Sequence, residues 1–261
     1  MSLHIETAVC AKGIRLPLLC AAVTCPGHRL LAPAAQELPF LPVGTCLHEA
    51  TGAAVFTVTG HAWIPGDSAT PHAFLRPLLT AQRDVPAAPM VLSPRKDGFS
   101  LAWITLSDKG AKGLRQDTAG PAIAELAGAA LPLCLCQGFL LPDEPLPLRA
   151  LLTDLALCQG YDLICTTGGT GVSPRDRTPQ VTSSLLDYPL PGFTQAMMAA
   201  SLTKTPHAVL SRASAGVLGG SLVLNLPGSR RAVEENLAAV LPALPHALAK
   251  LRGDDSDCGS S

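Results

Sequence analysis

Aromatic residues and charge are both scarce in this 261-residue chain: phenylalanine, tyrosine and tryptophan make up 4% of it and charged residues 15%, with a formal net charge of −1. A nucleic-acid binder neutralises phosphates with clustered Lys and Arg and stacks bases on aromatic rings, and the composition offers neither device. No uninterrupted apolar run reaches the ~20 residues that span a membrane. Residues 1–7 carry a histidine and a glutamate and lead into no clean apolar region with a cleavage site, so no signal peptide is read. The nine cysteines contain no CxxC pair and no repeated metal-ligand spacing. They read as small buried hydrophobes of a reducing compartment. These absences predict a soluble cytoplasmic protein that engages neither nucleic acid nor membrane.

What is present is a large apolar fraction, 48%, in a chain long enough for one large domain or two small ones. Residues 1–90 read as a small, mostly β domain, with a β segment at 53–64. Prolines, a glycine and a charge cluster around 84–98 mark a linker, placed at 91–98. From 99 to 252 strands alternate with helices. Buried-strand runs lie at 99–107, 131–140, 161–167 and 221–227. Helical spacing joins Ile123, Leu126, Ala127 and Ala130, with Thr118 as the expected N-cap. It also joins Leu148, Leu151, Leu152 and Leu155, and later Val233, Leu237, Val240 and Leu241. Further helices are expected near 180–187 and 192–203. Such alternation predicts an open α/β fold with a mainly parallel sheet covered on both faces. Residues 253–261 read as a polar, disordered tail.

In such sheets ligands bind beyond the carboxyl ends of the strands. Four informative segments fall there. The first is Ser107-Asp108-Lys109-Gly110, with Asp117 to Gly120 opening the next helix. The second is Pro142-Asp143-Glu144. The third is "TTGGTGVSPRDRTP" (166–179), in which Gly168, Gly169 and Gly171 let backbone amides approach an anion and Thr166, Thr167 and Thr170 add hydroxyls. It lacks the GK[ST] ending of a phosphate-binding Walker loop. The fourth is "NLPGS" (225–229), a turn leading into a helix N-terminus and its free amides. Asp143 and Asp176 each stand just beyond a strand. Two carboxylates facing bound phosphates suit Mg²⁺; read from spacing alone, each is more often a turn residue or a cap.

In order, "ITLSDKGAKGLRQDTAGPAIAEL", "LLPDE", "DLICTTGGTGVSPRDRTPQ", "LPGFTQAMMAASLTKTPHAVLSRASAG" and "LVLNLPGSRRAVEENLAAVLPALPHALAKLRG" resemble the molybdenum-cofactor biosynthesis family. The likeness is to the molybdopterin adenylyltransferase type that includes the G domain of gephyrin, and it covers about residues 100–252. The resemblance implies a three-layer α/β sandwich, assembled as a homotrimer. It also implies Mg-ATP-dependent adenylylation of molybdopterin with release of pyrophosphate, and a molybdate-inserting enzyme as possible partner. Carried over by position, Asp143 and Asp176 match the family's functional aspartates and the expected Mg²⁺ ligands. Thr167, Gly168, Gly169, Thr170 and Gly171 match its phosphate and pterin loop. Ser107, Asp108, Asp117, Gly120, Asn225, Pro227, Gly228 and Ser229 match residues lining the same cleft. Lys109 and Met198 depart from the family, which often has Arg at both positions.

Residues 38–60 resemble a strand-turn-strand piece of the MOSC β-barrel, without the cysteine that usually follows. An unrelated small β domain fits the same residues. The alternative function is a non-catalytic molybdopterin-binding or scaffold protein. The molybdate-inserting enzyme itself shares the fold, but its loop usually reads GGxSxG without the "PRDxTP" run.

Overall fold

A computed structural model of the chain describes residues 2–20, 30–32, 38–65 and 73–255. The chain divides into two compact units, one running to Asp97 and the other beginning at Gly98.

The first unit contains β1 (Leu3–Thr7), β2 (Arg15–Cys20), β3 (Leu30–Ala32), β4 (Cys46–His48), β5 (Ala54–Ile64), β6 (Phe74–Ala81) and β7 (Pro89–Arg95). They close into a barrel in the order β1-β3-β2-β6-β5-β4-β7, with β7 returning to pair antiparallel with β1. In β1, Leu3, Ile5 and Thr7 are buried while His4 and Glu6 face solvent, the period-two pattern of a half-buried strand. Closure corrects the linker read at 91–98, because Pro89–Arg95 is a full barrel strand. Pro94 stands opposite Leu47 in the β4 pairing. A strand tolerates proline where no ladder bond needs its missing N–H.

The second unit holds β8 (Phe99–Leu106), β9 (Leu133–Leu141), β10 (Leu163–Thr167), β11 (Tyr188–Pro189), β12 (Ala215–Leu218) and β13 (Ser221–Leu226). Their order is β11-β12-β13-β10-β8-β9. The β9-β8-β10-β13 pairs are parallel, while β12 and β11 are antiparallel additions at one edge. The mainly parallel α/β reading holds. The helices are α1 (Asp108–Ala111), α2 (Ala119–Ala130), α3 (Pro145–Thr153), α4 (Thr178–Ser183), α5 (Pro191–Leu202), α6 (Arg230–Val240) and α7 (Leu244–Leu251).

On one sheet face, Ile123 and Ala127 of α2, Val233, Leu237 and Val240 of α6, and Leu244 and Leu248 of α7 form a core with Leu101, Leu163, Cys165, Leu222 and Leu224. Each fully buried Leu or Val there contributes about 1.5–3 kcal/mol relative to exposure. Ala102, Ile104, Ile164 and Val223 are equally buried and alternate with those strand residues, so they face the opposite layer. Leu148 and Leu152 of α3 are buried too.

The helix expected at 180–187 is shorter, ending at Ser183. Thr118 makes no side-chain cap on α2. The cap comes instead from Asp117, whose Oδ1 accepts from the amides of Ala119 and Gly120, both at 3.0 Å. Of the tail read at 253–261, residues 256–261 lie outside the described residues.

Candidate functional site

Because β8, β9, β10 and β13 run parallel, their carboxyl ends share one edge of the unit. Thr167 pairs with Thr105 on one side and Leu226 on the other, and Thr105 pairs with Leu140. The loops that follow therefore emerge side by side. A cleft of ≈ 270 Å³ opens between them, bringing together Ser107, Asp117, Asp143, Thr167, Gly168, Gly169, Asp176 and Gly228.

The glycines of the β10 loop have an identifiable structural cause. Gly168 (φ +103°) and Gly169 (φ +64°) occupy left-handed backbone that L side chains avoid. A Cβ on Gly168 would lie 2.5 Å from the carbonyl oxygen of Leu106, and one on Gly169 would lie 2.4 Å from Thr178 Oγ1. Thr178 fastens the turn, its Oγ1 donating to Gly168 O at 3.0 Å. Thr167 Oγ1 donates to Pro227 O at 2.6 Å and ties this loop to the one after β13. A Cβ on Gly171 would come 2.8 Å from Asp176 Oδ2, so this glycine makes room for the carboxylate.

The carboxylates are held by backbone. Asp176 Oδ2 accepts from Ser173 N at 2.9 Å, a local turn that fixes the side chain. Asp143 and Asp108 exchange reciprocal bonds. Asp108 N donates to Asp143 Oδ2 and Asp143 N donates to Asp108 Oδ1, each at 3.1 Å. Burial pushes the Asp143 carboxyl above its ordinary range, and the negative charges of Asp108 and Asp176 push the same way. The Asp108 amide and the Arg175 guanidinium oppose the shift. Asp143 thus feels Asp176 electrostatically, as two acidic groups lining one cleft should.

Other predicted residues lie elsewhere or are committed to the fold. Thr170, Gly171 and Pro227 line a second cavity of ≈ 280 Å³, walled by Met197, Met198 and Asn236 among others. The Asp108 carboxylate is taken up by Asp143 N and by an ion pair with Arg175 at 2.5 Å. Gly120 serves packing: its Cβ would strike Trp103 Nε1 at 2.2 Å, and one on Gly138 would strike Trp103 Cζ2 at 2.1 Å. Asn225 is fully buried, donating to Thr166 Oγ1 and Thr182 Oγ1 and accepting from Ser214 N. Ser229 caps α6, its side chain accepting from Ala232 N. Asp117 lines the cleft, yet its oxygens already serve α2 and Thr105 Oγ1.

Sequence reasoning missed Arg115 and Thr105 as cleft-lining residues. It also missed Arg212, which sits against the β10 loop with its Nε donating to Gly171 O at 2.7 Å. Arg212 falls inside a quoted motif, but nothing in its spacing singles it out.

These features define a class: an open α/β domain whose strand-end cleft combines a glycine loop, a helix N-terminus and the carboxylates of Asp117, Asp143 and Asp176, the equipment of an anion- or phosphate-binding protein. Residues 102–246 match the model of the family described as "Probable molybdopterin binding domain", and the chain belongs to that family. It is 37% identical over 155 residues to molybdopterin adenylyltransferase of Helicobacter pylori, covering 58% of this chain and 86% of that protein. To gephyrin of Dictyostelium discoideum it is 35% identical over 186 residues, 65% of this chain. The chain spans about a quarter, 26%, of that longer relative. The solved structure of the molybdopterin biosynthesis enzyme MoaB from Thermus thermophilus is similar, with 49% identity and a TM-score of 0.55 over 60% of this chain and 98% of that one.

Proposed function

We propose that this chain adenylylates molybdopterin in molybdenum-cofactor biosynthesis. The terminal phosphate of molybdopterin attacks the α-phosphorus of ATP. A new P–O bond forms, the bond from the α-phosphorus to the α,β-bridging oxygen breaks, and pyrophosphate leaves. The observation that carries the reading is the gathering of Asp143, Asp176 and the Gly168–Gly169 turn around one cleft. Little covalent work falls to the protein, which aligns two polyphosphates and offsets their charge. The turn amides and the α6 N-terminus beside Gly228 supply fixed positive dipoles. Asp176 orients the reacting phosphates and Asp143 supports it from the β9 loop.

The donor set fits Mg²⁺. Among the described residues no group of three or more His, Cys, Asp or Glu could hold a metal. Two carboxylates on one phosphate-sized cleft do match an ion that keeps its waters and takes one or two protein ligands plus substrate oxygens. Asp143 and Asp176 would hold it, and when bound it neutralises phosphate charge. The homotrimer, a cytoplasmic location and transfer of product to a molybdate-inserting enzyme belong to the same proposal. No helix among the described residues is long and apolar enough to cross a membrane.

The test is incubation of the protein with molybdopterin, ATP and Mg²⁺, followed by chromatography for adenylylated molybdopterin and an assay for pyrophosphate. The wild type forms both, and Asp176→Asn slows the reaction about 100-fold or more, the scale of lost electrostatic preorganisation. Molybdopterin binding without turnover by the wild type would replace the enzyme with the non-catalytic pterin-binding reading.

A further inference from the structure

Loop 171–177 bears Asp176 on its cleft side. It is exposed at Val172–Arg175 and at Arg177, and the helix that follows is only six residues long. A mobile turn would leave Asp176 poorly aimed. Arg212, which reaches the loop from the connection ahead of β12, grips it at both ends. Its backbone N donates to Thr170 O at 2.9 Å. Its Nε donates to Gly171 O at 2.7 Å, and its Nη2 donates to Asp176 O. With the Gln180 amide turned to its better-bonded orientation, Nη1 finds the Gln180 oxygen as well. The guanidinium is thus committed to protein acceptors, three of them within ten residues of one another. Arg212 does not line the 270 Å³ cleft. It lines a separate pocket on the loop, together with Ser173, Asp176 and Gln180.

We propose that Arg212 is the positioning residue of this site: a clamp that spans the 171–176 turn and holds Asp176 at the angle the reaction needs, without touching substrate. The planar fork suits the task, because it presents several N–H groups in fixed directions to separate carbonyls. A lysine ammonium has three donors, but all leave one nitrogen and cannot span separated carbonyls as the fork does. The catalytic consequence rests on the adenylyltransferase reading, whereas the clamp itself does not.

The experiment compares wild type with Arg212→Met and the milder Arg212→Lys in two readouts. In the first, limited trypsin digestion is followed by mass spectrometry for cleavage after Arg175 and Arg177. Loss of charged hydrogen bonds frees the turn, so Arg212→Met is cut there about tenfold faster than wild type, with Arg212→Lys between them. In the second, adenylylation kinetics are measured. The expected result is kcat lowered about tenfold or more in Arg212→Met, partial recovery in Arg212→Lys, and KM for ATP unchanged within about threefold. If Arg212→Met does not fold, Arg212→Lys carries both comparisons.

Equal trypsin rates across the folded proteins overturn the clamp. A raised KM for ATP with unchanged kcat also overturns it, since that marks Arg212 as a substrate contact. A wild type that forms no adenylylated product sinks the adenylyltransferase reading alone, and the digestion rates still decide whether Arg212 holds the loop.

Discussion

The carboxyl of Asp143 is half-buried between the acidic side chains of Asp108 and Asp176, and Arg175 only partly offsets their charge. Its ionisation is held above the ordinary value of 3.8, burial being the largest cause. A carboxyl with a raised folded pKa favours the folded state when protonated. That contribution is present below the unfolded pKa and is lost as pH rises through the folded one. At neutral pH the ionised group therefore weakens the fold. Asp143→Asn keeps an oxygen to accept from the Asp108 amide and removes the charge. The variant is expected to melt at a higher temperature than wild type at pH 7. The difference should shrink as pH falls through the raised pKa and close below the ordinary carboxylate range. Adenylylation should fall about 100-fold at the same time, a trade of activity for stability that is common at working sites. Calorimetric melting from pH 3 to pH 8 checks it, and an Asn variant that melts lower than wild type at pH 7 is the result that sinks the argument.

At the scale of elements, α2 shows how closely neighbouring residues compete for one structural role. The helical spacing points to Thr118 as the cap, yet Asp117, one residue earlier, is an equally good N-cap type. In the fold Asp117 receives the Ala119 and Gly120 amides and also the Thr105 hydroxyl, which stitches the helix to β8. Asp117→Ala should lower unfolding free energy by about 1–2 kcal/mol, as cap loss typically does, while Thr118→Ala stays within about 0.5 kcal/mol. Urea unfolding of the two variants measures this, and the reverse ranking would falsify it.

The same element scale explains what was legible. Strand and helix alternation was readable because parallel strands buried on both faces are long apolar runs, as in Phe99–Leu106 and Leu163–Thr167. So was the gathering of strand-end motifs, since parallel strands finish at one edge. The short β12 was not, because Gly216 interrupts Ala215–Leu218 and Gly219 and Gly220 follow it, leaving little pattern. The strand β7 was hidden by prolines and charge. Gly120 and Asn225 read as cleft residues because they stand inside the strand-end motifs. Their neighbours within the fold, Trp103 for Gly120 and Thr166 and Thr182 for Asn225, are distant in sequence or unmarked by spacing.

For the whole molecule, the barrel and the α/β unit each have their own buried core, and the boundary falls between Asp97 and Gly98. Within the second unit the first strand is anchored from inside. Asp162 Oδ2 accepts from Ser100 N at 2.6 Å and from Ser100 Oγ at 2.7 Å, and its Oδ1 accepts from Arg252 Nε at 2.7 Å. Arg252 Nη2 reaches Gly98 O at 2.7 Å, and its guanidinium lies over the Phe99 ring. The start of β8 is thus fastened to the end of α7 within the second unit. The Helicobacter pylori relative matches 58% of this chain with 86% of its own length, so most of that protein corresponds to a stretch little longer than half of this one. Residues 98–261 alone are therefore expected to fold cooperatively and to adenylylate molybdopterin within about tenfold of the full chain, as an independent domain should. Calorimetry of the fragment should show a single transition that is also present in the full chain. A fragment that unfolds without a cooperative transition would place part of the α/β core under the control of the barrel. A folded fragment without activity would instead assign the barrel a direct part in catalysis, and titrating the separately produced barrel back into the assay would then distinguish restored activity from a permanent loss.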